Sequence, residues 1–353
     1  MTPINPINQD RSKYFLITID VEDWFQVENF KPWIPFETWR QLELRVEKNV
    51  HRLLDLFDSI SLPSLTSKST NLVYPDDSPT KEIPSSPKAT FFVLGWIANK
   101  LPQLVREIAE RGHEVSSHGC YHDLPSKMSL RVLRQDLIDS RQRLEEITGT
   151  PISGYRAPSF AIDDKILATV AEAGYCYDSS YNSFSLHGRY GKISLNGKSK
   201  NGIAHKISEK FYELPISNLN IKTLSRTFSA RWDKKLKEGN STANPHRVTS
   251  ENGLFLPWGG GSYFRLIPFH FFKAGVDTIL KNDGTYMLYL HPWEIDPYQP
   301  KVDSASFTRK FRHYTNLNKT KFRLKRLIEN YSRCRFVTCR DYLLLTQGVG
   351  LTG

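Results

Sequence analysis

The segment His118-Gly119-Cys120-Tyr121-His122 sets two imidazoles four residues apart, a spacing that puts both on one side of a helical turn and within reach of a single ion. In a chain with ten histidines such a pair also arises by chance, so ordinary surface or core histidines are the plain alternative. The acids Asp20, Glu22 and Asp23, which follow an apolar run, add a third kind of donor. Two histidines and one carboxylate make a zinc-type site that keeps a position open for water. The same acids could instead cap the next helix or face solvent. His291 comes directly after Tyr286-Met287-Leu288-Tyr289-Leu290, so its ring should emerge from a buried strand into a partly desolvated cleft, where an imidazole can be tuned for proton transfer. Arg156, in Arg156-Ala157-Pro158, gains a chemical role only beside a carboxylate such as those of the acidic cluster. Cys120 is assigned no role, because a third ligand between the two histidines would strain the geometry.

These residues recur where predicted strands end. The apolar, β-branched run 14–19 predicts a strand leading into the acids, and runs 89–94, 113–117, 154–155, 175–177 and 286–290 predict the others. Between them lie helical patterns. Residues 38–58 carry Trp39, Leu42, Val46, Val50, Leu53, Leu54 and Phe57 at spacings of three and four. Residues 102–111 start on Pro and stop at Gly112, 130–148 stop at Gly149, and 163–173 stop at Gly174. Strands alternating with helices imply βαβ units and a parallel sheet or barrel, and such folds build their sites at the carboxyl ends of the strands.

Two stretches interrupt this rhythm. Residues 63–88 hold five prolines and six serines with few apolar anchors and predict a flexible insertion. Residues 189–247 are polar, apart from Phe211-Tyr212-Glu213-Leu214-Pro215-Ile216, and are expected to decorate the rim with little regular structure. At 353 residues, with 39% hydrophobic and 24% charged, the composition excludes a wholly disordered or fibrous chain. No run approaches the roughly 18 apolar residues of a membrane span, and the first ten residues lack the apolar core of a signal peptide, so a cytoplasmic protein is expected. Four cysteines without a C-x-x-C pair read as reduced thiols. Of the net charge of +11, residues 309–335 hold +9, with ten Lys or Arg against Glu329. This segment fits a helix carrying Phe322, Leu324, Leu327, Ile328 and Tyr331; its basic face is either simply solvated or meets an anionic glycan, a lipid-diphosphate carrier or the inner membrane surface.

The ordered set resembles the polysaccharide deacetylase family, also called the NodB-homology family or carbohydrate esterase family 4. Leu16-Ile17-Thr18-Ile19-Asp20 with its trailing acids resembles the first motif, His118-Gly119-Cys120-Tyr121-His122 the metal motif, and Arg156-Ala157-Pro158 the third. Asp178-Ser179-Ser180 falls where the fourth is found, and Leu290-His291-Pro292 resembles the last. The runs around Asp20 to Val27, Gly259 to Arg265, His291 to Glu294 and Phe311 to Asn316 resemble the branch associated with exosortase (PEP-CTERM) exopolysaccharide loci. The likeness covers about residues 13–340. Two departures stand out. The adjacent acid pair of the first motif is spread over Asp20, Glu22 and Asp23, and Gly119 stands where Ser or Thr is usual.

The resemblance implies an α/β fold, a distorted (β/α) barrel with fewer than eight regular repeats. It would span residues 13–300, after a tail 1–12, with a basic C-terminal extension 301–353 packed on it and closing one side. It implies hydrolysis of N-acetyl groups on a polysaccharide or its lipid-linked precursor, in exopolysaccharide biosynthesis. A divalent metal, zinc by preference, would sit on His118, His122 and an acid of the first motif, either Asp23 or Glu22, leaving Asp20 as the base. Arg156 would orient Asp20, and His291 would protonate the leaving amine. Pro158, Asp178 and Trp293 are expected to contact substrate. An allantoinase-like small-amide hydrolase and a non-catalytic glycan or nucleic-acid binder using Trp258, Tyr263 and Trp293 are the rivals; the complete set of acids, imidazoles and arginine argues against the binder, and no nucleic acid is expected.

Overall fold

The structure, a computed structural model, describes residues 13–63, 86–184, 190–220 and 255–348. Its frame is a run of parallel strands in the order β11-β1-β2-β3-β4-β5-β8. Here β1 is Tyr14–Val21, β2 Ala89–Val93, β3 Glu114–Ser117, β4 Gly154–Tyr155, β5 Tyr177–Asp178, β8 Phe211–Glu213 and β11 Thr285–Leu290. The strands β6 (Lys200–Asn201) and β7 (Ala204–Ser208) continue the sheet antiparallel beyond β8. The described part of the polar stretch 189–247 is therefore a hairpin extending the sheet, more regular than its composition suggests; the rest of that stretch, the tail 1–12 and most of the insertion 63–88 lie outside the described residues.

Among the described residues no strand pairs β8 with β11, yet backbone joins them. The Gly259 amide donates to the Ser217 carbonyl at 2.7 Å, and the Gly259 carbonyl accepts from the Tyr289 amide at 2.7 Å. A Cβ on Gly259 would lie 2.4 Å from the Met287 carbonyl oxygen, so only glycine lets this stave slide in. The barrel closes through an irregular segment instead of an eighth strand. A small antiparallel pair, β9 (Leu219–Asn220) and β10 (Phe255–Leu256), precedes that segment.

Strand alternation decides what faces the axis. Phe15, Ile17, Ile19 and Val21 of β1 pack in the outer core under the helices, whereas Leu16 packs with Phe92, Tyr177, Met287 and Tyr289 in a separate inner cluster. The outer layer is α1 (Val46–Asp58), α2 (Gly95–Lys100), α3 (Pro102–Glu110), α4 (Leu130–Thr148), α5 (Asp164–Glu172), α6 (Gly261–Leu266) and α7 (Phe269–Asp283). The expected helix over 38–58 is two pieces, a 3-10 segment Phe36–Gln41 and α1. The basic segment is likewise two helices, α8 (Phe307–Tyr314) and α9 (Leu317–Asn330), separated at Asn316, whose φ of 59° no continuous helix tolerates. The chain ends its described course with β12 (Arg335–Phe336) beside β1 and with α10 (Cys339–Gln347) across the base of the barrel. There the Cys339 amide donates to Thr90 Oγ1, the Arg340 amide to Glu114 Oε2, and the Tyr342 hydroxyl accepts from the Ile203 amide.

Candidate active site

The inner register carries the chemistry to one end. Asp20 and Glu22 continue the parity of Leu16 and Thr18, His118 that of Glu114 and Ser116, and His291 that of Met287 and Tyr289. Their side chains therefore meet above the strand ends. His118 Nε2 and His122 Nε2 lie 3.1 and 3.0 Å from the same oxygen, Glu22 Oε1, and all three residues are buried. Across the cleft His291 Nε2 lies 3.8 Å from Glu22 Oε1 and 3.9 Å from Asp20 Oδ2.

The histidine pair is not helical. His118 leaves the end of β3, and a tight loop with left-handed φ at Gly119 (74°) and His122 (57°) folds the second ring back to it, ring centroids 5.5 Å apart. The spacing of four thus works through a turn, for which a helix was expected. The first two amides of α2 grip the loop, Gly95 on the Gly119 carbonyl at 2.8 Å and Trp96 on the Cys120 carbonyl at 2.9 Å. Asp136 of α4 accepts from the Cys120 amide, and Lys31 Nζ donates to the His122 carbonyl at 2.8 Å. A Cβ on Gly119 would stand 2.9 Å from Asp136 Oδ2, on a backbone conformation that side chains already resist. Close approach and left-handed backbone account for glycine where the family pattern has a hydroxyl.

The donors fit a cation. His118 Nδ1 lies 2.8 Å from the Arg156 carbonyl, which can only accept, so Nδ1 carries a proton and Nε2 is the nitrogen turned toward the Glu22 carboxylate. Either a proton or a metal ion between Nε2 and the carboxylate satisfies this 3.1 Å contact. His122 Nδ1 is buried without a protein partner, and Glu22, His118 and His122 are the group of ligand atoms close enough to share one ion among the described residues. Burial alone would raise the Glu22 carboxyl, but the surrounding His122, His291 and His118 rings draw it well below the usual carboxylate range.

Asp23 is elsewhere. Its parity turns it to the helix layer, where Oδ1 takes the Trp24 amide at 2.8 Å and Oδ2 takes the amides of Arg45 and Val46 at 2.7 and 2.9 Å, at the start of α1. Of the two acids offered as the ligand, Glu22 is the one that stands with His118 and His122, and Asp23 caps a helix from twenty residues away; this cap also explains why α1 starts so late.

Arg156 is fully buried. Nη1 donates to Asp20 Oδ1 at 2.6 Å and to Thr18 Oγ1 at 2.8 Å, while Nε and Nη2 reach the Ser179 carbonyl and Oγ, both at 2.9 Å. Removing one partner from such a pair costs about 3–5 kcal/mol, since a buried charge is stranded. In the fourth motif, then, Ser179 supports Arg156 and Ser180 Oγ accepts from the Ala157 amide. Asp178, expected at the substrate, faces away from the axis, with its oxygens on the Ser180 amide and hydroxyl and the carboxyl of Glu213 alongside. Burial raises both carboxyls; the neighbouring Asp178 raises Glu213 further, while the hydrogen bond from Glu213 draws Asp178 back down. Pro158 is buried at the start of a 3-10 turn, and its neighbours Ser159 and Phe160 line the cleft in its place. Trp293 does line it, stacked on His291 at 5.1 Å and on His313 at 4.0 Å.

Two site residues had no role assigned from sequence. Glu294 Oε1 lies 2.8 Å from His291 Nδ1, and Glu294 Oε2 accepts from Arg265 Nε at 2.7 Å. The signal was present in His291-Pro292-Trp293-Glu294, because an acid three residues after a residue entering a short helical turn can reach back to it. Burial opposes charge on His291, but Glu22, Glu294 and Asp20 outweigh it and push the imidazole up to about 9. The open cleft over the cluster has a volume of about 110 Å³.

Residues 85–177 match the polysaccharide deacetylase family, and residues 225–344 match a domain of unknown function, DUF3473. A Bacillus cereus peptidoglycan-N-acetylglucosamine deacetylase is 33% identical over 88 residues, covering 25% of this chain and 41% of that protein. A Sinorhizobium fredii chitooligosaccharide deacetylase is 32% identical over 87 residues, covering 24% and 40%. The chain thus spans about two fifths of the length of these curated relatives. A solved structure from Mycobacterium smegmatis, named as a candidate polysaccharide deacetylase, superposes with a TM-score of 0.54 at 18% identity over 99% of this chain and 96% of that one, a likeness of fold. Residues 85–177 therefore match the polysaccharide deacetylase family, and the barrel around them shares its fold with that solved structure.

Proposed function

We propose that the chain hydrolyses the N-acetyl amide of an amino sugar within a glycan, releasing acetate and a free amine. The observation that carries this reading is the convergence of a two-histidine, one-carboxylate cluster with a carboxylate on one side and an imidazole on the other. Glu22, His118 and His122 would hold a divalent cation, for which zinc is our choice; when bound it supplies Lewis-acid polarisation of the acetyl carbonyl and of the attacking water. Asp20 takes the proton of that water, its other oxygen fixed by Arg156 so that Oδ2 remains turned to the cleft. His291, charged near neutrality, delivers a proton from Nε2 to the departing nitrogen. Trp293 lines the cleft and packs its ring against His291, backing the imidazole that faces the substrate.

The same reading places the substrate in exopolysaccharide assembly, as a polymer or its lipid-linked precursor, at the cytoplasmic face of a membrane. Phe307, Phe311 and Phe322 stand 80%, 52% and 67% exposed on α8 and α9 among Arg309, Lys310, Lys319, Lys321 and Lys325, which supports a peripheral contact with anionic lipid. No helix among the described residues is long and apolar enough to cross a membrane. The decisive experiment measures bound metal and acetate release from N-acetylated oligosaccharides in parallel. Acetate release that chelation removes and zinc restores is expected. Turnover of cyclic ureides in its place would give the allantoinase-like activity, and glycan retention without acetate would give a binder.

A further inference from the structure

We propose, resting on the deacetylase reading, that Glu294 is the positioning residue for His291, and that Arg265 locks this pair to the C-terminal helices. The ring of His291 has two nitrogens, and only Nε2 faces Glu22 and Asp20. Glu294 Oε1 sits at 2.8 Å from the other, Nδ1, and also accepts from the His291 amide at 3.2 Å, so one carboxylate oxygen fixes both the ring and its backbone. A carboxylate can only accept, hence Nδ1 holds its proton against Glu294 and the ring is fixed with Nε2 turned to the cleft.

The second oxygen explains why this acid does not wander. Arg265, fully buried, meets it through Nε at 2.7 Å and spends its remaining donors on main-chain carbonyls at the end of α8: Nη1 on His313 at 3.0 Å and Thr315 at 2.6 Å, Nη2 on Arg312 at 3.0 Å. A Cβ on Gly261 would lie 2.2 Å from Glu294 Oε1, so the first turn of α6 is shaved to admit the carboxylate. Asp178, expected at the substrate, is committed to Ser180 on the outward face of β5 and does not reach this ring's partner position. The chain from His291 through Glu294 to Arg265 lies inside residues 225–344, so the region matched to a domain of unknown function supplies the proton-handling wall of the cleft.

The test combines kinetics with histidine spectroscopy on the full chain loaded with zinc. E294Q should lower kcat 20- to 200-fold with KM within threefold, E294D should recover part of the loss, and H291A/E294Q should be no slower than H291A. Independently, selectively labelled protein should show a far-downfield Nδ1 proton for His291 that disappears in E294Q. E294Q with parental kcat, a double variant more than threefold slower than H291A, or absence of that proton in the parent would each overturn the assignment. A parent that shows the proton yet releases no acetate from any N-acetylated glycan would defeat the deacetylase reading and leave the positioning intact. Should E294Q fold poorly, the parental spectrum still decides.

Discussion

The two walls of the cleft are built by different means. The wall carrying Glu22, His118 and His122 is held by backbone: amides of α2, a left-handed loop and the end of β1 set the ligands, and side-chain ion pairs play little part beyond Asp20 with Arg156. The wall carrying His291 is held by a buried relay of charge, Glu294 to Arg265 to the carbonyls closing α8. Backbone fixes distances rigidly, which suits ligands that must share one ion, whereas a charge relay fixes the protonation of a ring that must exchange a proton. The cleft is thus assembled from three stretches of chain: β11, which leads to His291, pairs along its length with β1, which leads to the acids and lies outside both matched regions, while His118 and His122 come from residues 85–177.

The division of labour can be broken at its strongest point first. H118A should lose bound metal and all measurable acetate release together; turnover retained by this variant defeats the scheme. D20N should retain metal while kcat falls about 10²- to 10⁴-fold, the range for a lost general base, and metal loss in D20N would show that Asp20 is a ligand. W293A should keep metal as well and lower kcat/KM about threefold to tenfold through the lost stacking face under His291, as read in steady-state assays on a defined oligosaccharide. The smallest effect lies away from both walls. Burial, helped by Lys88 and Arg111, lowers His113 to about 3 against an ordinary 6.5, so below pH 6.5 the unfolded chain takes up a proton that the folded chain refuses. Stability from this group is complete above pH 6.5 and drains away as the pH falls toward 3. A melting-temperature series should show a shallower acid slope for H113N, and equal slopes would remove His113 from the account.

How far the sequence disclosed this arrangement depends on the physics of each residue. Asp20, His118, His122, Arg156 and His291 were legible because a buried strand that ends in a polar group leaves a local signature, and the fold class followed from alternation with glycine-stopped helices. The choice between Glu22 and Asp23 was legible in part: period-two parity from Leu16 puts Glu22 inward and Asp23 outward. What Asp23 does there was not, since it caps a helix whose first amides belong to Arg45 and Val46, far along the chain. Asp178 failed the expectation for the same reason of parity, one residue past the inward Tyr177. The closing stave at Gly259 carries no strand pattern, because its hydrogen bonds go to β11 and Ser217 with no side chain to mark a face. The break at Asn316 hides inside an unbroken basic, amphipathic pattern, which reports burial and not backbone continuity.

The cork at the foot of the barrel has its own corollary. Tyr342, Leu343 and Cys339 of α10 fill the bottom of the axis, and the amides of Cys339 and Arg340 tie down Thr90 and Glu114, so among the described residues the foot of the barrel is plugged. On the proposed activity, whatever enters above the strand ends leaves by the same mouth, and the acetate cleaved there has to slip past the longer molecule that delivered it. Departure of the shorter fragment is then gated by how loosely the longer one sits, which makes grip on the polymer a brake on turnover as much as an aid to capture.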